Sequence, residues 1–195
     1  MPRGKSYKSI ATIVLSLVIF GQLRDYQCHR AKYVPYCNVV QDLKGEADVF
    51  FTYTGRVFEM NKAMLRVAMG KSTIEAELED MRGMMVCAMR GGETFCILLG
   101  ESECPDFHKE WTSPQIFDAN TVFNKAAWCD NTNRTYLQFL KEHENVGPGG
   151  LNKGCFFVHD DFNIVICTQS EDPTVVAKIH KNLPHFRYFS CFTVY

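Results

Sequence analysis

The stretch MMVCAMRGGETFCILL, residues 84–99, holds two apolar runs on either side of Gly91-Gly92. Two glycines form a favoured two-residue hairpin turn, because glycine accepts the positive φ angles that such turns require. A hairpin centred there places Cys87 opposite Cys96, at a position where paired Cα atoms approach to about 4.5 Å. That separation is at the short end of the range that a disulfide spans. The stretch therefore predicts an antiparallel hairpin closed by a Cys87–Cys96 bridge. The alternative is that each cysteine bonds elsewhere or is a small buried apolar residue.

A second hairpin is predicted further along the chain. Two β-branched and aromatic runs flank residues 160–162, and a three-residue loop there places Cys155 opposite Cys167. An earlier hairpin is predicted around Thr54-Gly55 by the same type of pattern. These hairpins favour a meander of antiparallel strands.

Residues 62–82 can be interpreted in two ways. Ser72-Thr-Ile-Glu75 matches a capping box, which would open a helix. The alternation in residues 74–78 is instead typical of a strand, and the neighbouring hairpins favour the strand. Both faces of the hairpin at residues 84–99 are apolar, so helices or a second sheet must cover it on both sides.

Helical signals are clearest in two places. Residues 113–145 predict a helical pair that begins at Ser113-Pro114, and Asp172-Pro173 opens a further helix. Residues 186–195 then close the chain as an aromatic strand. The predicted fold class is α+β: a mainly antiparallel meander with an inserted helical pair and a C-terminal helix plus strand, stabilised by disulfides.

The N-terminal segment has the pattern of a secretory signal peptide. Three basic residues precede a run of apolar residues over positions 10–21, which is short for a transmembrane helix. The sequence therefore predicts a signal peptide over residues 1–27 and a single domain over residues 28–195, secreted from the cell. The alternatives are an uncleaved membrane anchor through residues 10–23, an organellar targeting segment or a buried N-terminal helix.

Nine cysteines behind a signal peptide predict a disulfide framework, with one cysteine left over. They include no Cys-x-x-Cys pair, the usual spacing of zinc and thioredoxin-type sites. Asn133-Arg-Thr135 matches the acceptor for N-glycosylation, so a secreted glycoprotein is expected.

The charge balance disfavours a nucleic-acid partner. The net charge of the chain is −1, and without residues 1–27 the chain carries 17 basic and 21 acidic residues, a net charge of −4. Such a surface provides no basic field for a phosphate backbone. A membrane partner is expected only if the N-terminal segment is retained.

The familiar catalytic and cofactor motifs are incomplete. Met69-Gly-Lys-Ser-Thr73 resembles the end of a phosphate-binding loop, but Leu65 stands where that loop needs glycine. The six histidines do not fall into a metal-ligand spacing. No catalytic, cofactor or metal residue is therefore predicted, and an enzyme is only a minor hypothesis.

The leading hypothesis is a secreted, non-enzymatic protein that binds a protein partner. A second hypothesis is a carrier of a small apolar ligand. The length of the chain and its terminal hairpin, helix and strand are loosely similar to lipocalins. The early Gly-x-Trp of that family is absent. A cavity lined by Phe50, Phe58, Met85 and Leu98 would favour the carrier. A third hypothesis is a membrane-anchored subunit of an assembly.

Overall fold

Five parallel strands form one sheet at the centre of the protein. The computed structural model describes residues 37–129, 132–147, 150 and 152–195. The strands lie in the order β2-β3-β4-β1-β5, and every neighbouring pair is parallel. The expected antiparallel α+β fold is therefore wrong, and the architecture is α/β. The strands are β1 (Asn38–Asp42), β2 (Gly55–Glu59), β3 (Thr94–Gly100), β4 (Asn163–Thr168) and β5 (Ser190–Val194).

Helices connect the strands, as parallel pairing requires. The predicted helical pair over residues 113–145 is wrong, because that region forms two four-residue helices and two 3₁₀ turns, Thr135–Phe139 and Glu142–Glu144. The helix predicted to open at Asp172-Pro173 is confirmed. The helices are α1 (Ala47–Thr54), α2 (Met60–Ala68), α3 (Ile74–Gly91), α4 (Ala119–Val122), α5 (Lys125–Trp128) and α6 (Pro173–Asn182).

Residues 84–99 form the end of one helix and the following strand. The Thr73 hydroxyl accepts a hydrogen bond of 3.2 Å from the backbone N–H of Ala76, which caps the start of α3. Gly92 has a φ of 67° and ends α3 in the left-handed conformation. The two glycines therefore terminate a helix, a second role that suits glycine as well as a hairpin turn does.

The continuous apolar character of β3 and β4 explains why they lie in the interior of a parallel sheet. Their residues from Phe95 to Gly100 and from Asn163 to Thr168 are all buried. Strands covered on both faces have uninterrupted apolar runs rather than alternation. The second run of each predicted hairpin, residues 94–99 and residues 163–167, thus indicated a strand that is covered on both sides.

The two faces of the sheet are covered unequally. On one face, Ala47 and Phe51 of α1 pack against a small cluster from β1, β3 and β4. On the other face, α2, α3 and α6 cover the larger core, which includes Met81 and Ile179. This distribution follows from the strand order, because only the β1–α1–β2 connection runs toward the β2 edge, and right-handed crossovers in opposite directions lie on opposite faces.

The predicted disulfides are wrong for every cysteine in the described part of the chain. None of these eight forms a disulfide, and no two of their Sγ atoms lie within 4.5 Å of each other. Cys87 is exposed on α3 while Cys96 is buried in β3, and Cys155 is exposed while Cys167 is buried in β4. The parallel sheet separates each pair that the hairpins would have joined.

The expectation of a secreted glycoprotein rested on the N-terminal pattern, the cysteines and the acceptor at Asn133, and it loses the support of the disulfides. Asn133 is exposed just before the turn Thr135–Phe139. Residues 1–27, residues 10–23 and Cys28 lie outside the described residues, so secretion and anchoring stay predictions from the sequence. Among the residues that the structure does describe, no helix is long and apolar enough to cross a membrane.

Candidate ligand site at the carboxyl edge of the sheet

A crevice opens where the chain leaves the carboxyl ends of β1 and β4. These neighbouring strands continue in opposite directions: β1 leads into α1 on one face, and β4 leads into α6 on the other. Open parallel sheets bind ligands at such a topological switch point, because the diverging connections leave a gap between them. The gap has a volume of about 430 Å³, and its lining consists of Leu43, Glu101, Gln169, Ser170, Glu171, Asp172 and Val175.

The loop after β1 is held by a buried carboxylate. Asp42 is fully buried, and its Oδ2 accepts a hydrogen bond of 2.6 Å from the backbone N–H of Ala47. Its Oδ1 accepts a hydrogen bond of 3.3 Å from the N–H of Lys44. Gly45 has a φ of 70°, and a Cβ there would lie 3.3 Å from Nε2 of Gln169. The tight turn therefore brings the loop against the side of the crevice formed by Gln169.

The loop after β4 is fixed by hydrogen bonds on both sides. The Gln41 side chain donates a hydrogen bond of 2.9 Å to the carbonyl of Ser170. The backbone N–H of Gln169 donates one of 2.7 Å to the carbonyl of Gly100. The hydroxyl of Ser170 accepts a hydrogen bond of 3.2 Å from the N–H of Asp172. These hydrogen bonds thus link the carboxyl ends of β1 and β3 to the loop after β4, and the three segments form one polar wall.

The crevice is acidic. Glu101, Glu171 and Asp172 line it, and none of its lining residues is basic. Hydrogen bonds from Thr174, first from its backbone N–H, lower the pKa of Asp172, which caps the N-terminus of α6. In the described part of the chain, Glu101 and Glu171 form no ion pair. Their charges are therefore available to a ligand.

Three carboxylates, those of Glu101, Glu171 and Asp172, supply hydrogen-bond acceptors to the crevice. Across the described ranges, no group of three or more His, Cys, Asp or Glu side chains is placed to hold a metal. Several acceptors suit a molecule with several N–H donors.

No protein-family model, curated protein or solved structure matches the chain.

The four residues predicted to line an apolar cavity do not lie together. Phe50 and Leu98 pack in the small cluster beside α1, whereas Phe58 and Met85 are buried in the core on the opposite face. The sheet lies between the two pairs.

The crevice residues were missed because they lie far apart in the sequence. Leu43, Glu101 and Gln169 each follow directly after a strand. Their position directly after a strand could have identified them. It indicates a shared site only when the strands are known to be parallel, because the carboxyl ends of parallel strands lie at the same edge of the sheet.

A buried amine lies away from this site, near the amino ends of β1 and β4. The side chain of Lys125 is buried, and its Nζ donates a hydrogen bond of 2.6 Å to the carbonyl of Phe162. Burial lowers the pKa of Lys125. Burial likewise raises the pKa of the nearby Cys37 thiol to about 12. Burial therefore shifts both titrations toward the uncharged forms.

Proposed function

We propose that the protein binds a small organic cation, carrying an amine or guanidinium group, in the crevice between the loops after β1 and β4. The position of the crevice carries this conclusion: it lies at the switch point of a parallel sheet, where such folds hold their ligands. The expected activity is binding, in keeping with the hypothesis of a binding protein that the sequence favoured.

The size and lining of the crevice support this ligand class. Its volume of about 430 Å³ is within the range of small-molecule sites. Leu43 and Val175 supply apolar contacts for a short hydrocarbon chain, and Glu101 and Glu171 supply acceptors for its charged end. An anionic ligand is disfavoured, because three carboxylates would repel it.

The half-buried Gln169 adds a neutral polar contact. Its carboxamide makes no hydrogen bond within the described part of the chain, and it can both donate and accept. This lining does not favour the apolar ligand that the sequence suggested as an alternative. A polar molecule with a charged end fits the same walls better.

The test is a titration of the purified protein by isothermal calorimetry with agmatine, spermidine and arginine. Citrate and glucose 6-phosphate serve as anionic controls. We expect at least one amine to bind saturably and both anions to give no heat of binding. The double variant Glu101→Gln/Glu171→Gln should weaken amine binding by about tenfold or more, because each lost charged hydrogen bond costs roughly 1.5–3 kcal/mol.

The matched control is Glu110→Gln, an exposed glutamate outside the crevice. It should leave the affinity unchanged. Amine binding that survives the double variant, or that Glu110→Gln reduces equally, would place the ligand elsewhere. Failure of all three amines to bind would refute the proposed ligand class.

A further inference from the structure

The outer edge of β2 is open. β2 lies at the end of the sheet and pairs only with β3, in the register Gly55↔Thr94 to Glu59↔Leu98. No described residue pairs with its other side, so main-chain N–H and C=O groups face outward. Such an edge is a template for another extended chain.

A groove of about 860 Å³ runs beside this edge. One wall comes from α1 and the sheet, where Thr52, Val57 and Leu98 line it. The other wall comes from α3, where Glu79 and Gly83 line it. An added strand would therefore have a wall on each side, and its side chains would alternate between the two.

Gly83 keeps the α3 wall open at a position where packing does not require a glycine. It lies in the interior of α3, where glycine is among the least favourable residues. A Cβ added at Gly83 would meet no atom within 4 Å. The missing side chain thus widens the groove.

The charges of the groove favour a basic occupant. Its lining contains four acids and two arginines, and both arginines already pair with carboxylates. Three of the acids, Glu59, Glu79 and Glu144, also form ion pairs. Asp80 is exposed on the groove and forms no ion pair within the described ranges. Residues 37–195 as a whole carry 15 basic and 21 acidic residues, a net charge of −6.

We propose that an extended segment of a partner protein adds to β2 as a sixth strand, with Lys or Arg at alternate positions, one of them facing Asp80. Main-chain hydrogen bonds to β2 supply affinity, and the two walls select the side chains. The apolar wall at Val57 and Leu98 accepts the intervening side chains. This site is separate from the carboxyl-edge crevice, so either site can fail its test without the other.

The probe is a fluorescein-labelled peptide of about seven residues, long enough to pair with all of β2, that alternates lysine with valine. Two further peptides replace lysine by glutamate, or place proline at the centre. Fluorescence anisotropy should show saturable binding of the lysine peptide, at least tenfold tighter than either control peptide. Hydrogen exchange of the β2 amides should slow when the lysine peptide is bound.

Gly83 provides the matched variants. Gly83→Leu should fill the groove and weaken binding of the lysine peptide at least tenfold, because leucine suits a helix but occupies the space. Gly83→Ala adds only one carbon and should retain most of the affinity. Asp80→Asn should weaken the lysine peptide several-fold.

Three outcomes would overturn the proposal. The first is equal binding of the lysine and glutamate peptides, and the second is unchanged affinity in Gly83→Leu. The third is a dimer, detected by analytical ultracentrifugation, in which the β2 amides are protected without peptide. That result would make a second copy of the chain the occupant of this edge.

Discussion

The guanidinium of Arg82 and the carboxylate of Glu144 form a two-point ion pair, with Nη1–Oε2 at 2.7 Å and Nη2–Oε1 at 3.0 Å. Only 5% of the Arg82 side chain is exposed, and Glu79 holds the guanidinium from the same helix at 2.7 Å. Arg82 also donates a hydrogen bond of 2.8 Å to the carbonyl of Phe139. These contacts therefore join the middle of α3 to the irregular segment before β4, and the charge of Arg82 is paired with the carboxylates of Glu79 and Glu144.

Arg82→Ala should destabilise the protein by about 3–5 kcal/mol, because it leaves buried acceptors without their partner. Urea unfolding followed by circular dichroism measures this change. The comparison variant is Lys178→Ala, which removes an exposed ion pair with Glu103 and should cost less than about 1 kcal/mol. Similar losses in the two variants would contradict a special role for the buried guanidinium.

Acid should unfold the protein partly through Glu79. Hydrogen bonding to Arg82 and Lys141 lowers the pKa of Glu79 to about 2. A carboxylate with a depressed pKa stabilises the fold above its unfolded-state pKa, and that stability is lost as pH falls toward the folded-state pKa. We expect the free energy of unfolding to fall between about pH 5 and pH 2. Glu79→Gln should show a shallower fall over the same range, and an equally steep one would rule out this source.

Lys125 should make the free energy of unfolding depend on pH in the alkaline range. Burial lowers its pKa in the folded state below the ordinary value of 10.5, so the unfolded chain binds the proton more strongly. In the interval between the two pKa values, stability attributable to Lys125 rises with pH. Lys125→Met removes this titration.

The measurement for Lys125 is the difference in unfolding free energy between Lys125→Met and the native chain. Subtraction removes the alkaline titrations of groups that do not interact with Lys125; the titration of Cys37, whose pKa Lys125 lowers, does not cancel. The methionine variant should have its largest relative stability near pH 7, and the difference should shift toward the native chain as pH rises to about 10. A constant difference would mean that the buried amine does not change its charge over this range.

The cysteines should react as free thiols in the order of their exposure. Cys87, Cys155 and Cys191 are exposed and should label first with a thiol reagent, without added reductant. The four buried thiols, Cys37, Cys96, Cys104 and Cys167, should label only on unfolding. Unfolded, unreduced protein should therefore yield at least eight thiols. A count that rises after reduction would restore the disulfide framework.

Two glycines, one within α3 and one at its C-terminal end, should respond oppositely to alanine. Gly83→Ala should stabilise α3 by about 0.5–1 kcal/mol, because the position is helical and its surroundings are open. Gly92→Ala should destabilise the protein by more than about 1 kcal/mol, because φ is +67° at this position and an added Cβ would clash with the ring of His159. Thermal unfolding of both variants checks the contrast.

Local signals in the sequence predicted several elements correctly, and the pairing of strands was where prediction failed. The cap at Asp172 identified α6, and the capping box at Ser72 offered the correct helix as one of two interpretations. Gly91-Gly92 was misread because glycine suits both a hairpin turn and a helix end. The spacing of the cysteines also favoured the wrong pairing, because cysteines behind a signal peptide predict disulfides.

The candidate site could not be predicted for a related reason. Its residues come from the loops after β1, β3 and β4, and their proximity depends on the strand order. The strand order depends in turn on which connection crosses each face, and no short segment encodes that choice. The apolar character of β3 on both faces was the observation in the sequence that pointed most directly to a parallel sheet.

The position of β1 has a consequence for how the protein is made. Of the five strands, β1 is synthesised first, yet its neighbours β4 and β5 begin at Asn163 and Ser190. The chain from β1 to β4 must therefore leave the ribosome before β1 can pair, and contacts so distant in sequence slow folding. Until then the apolar residues Val39 and Val40 are exposed to solvent, and exposed apolar segments of this kind favour aggregation during folding.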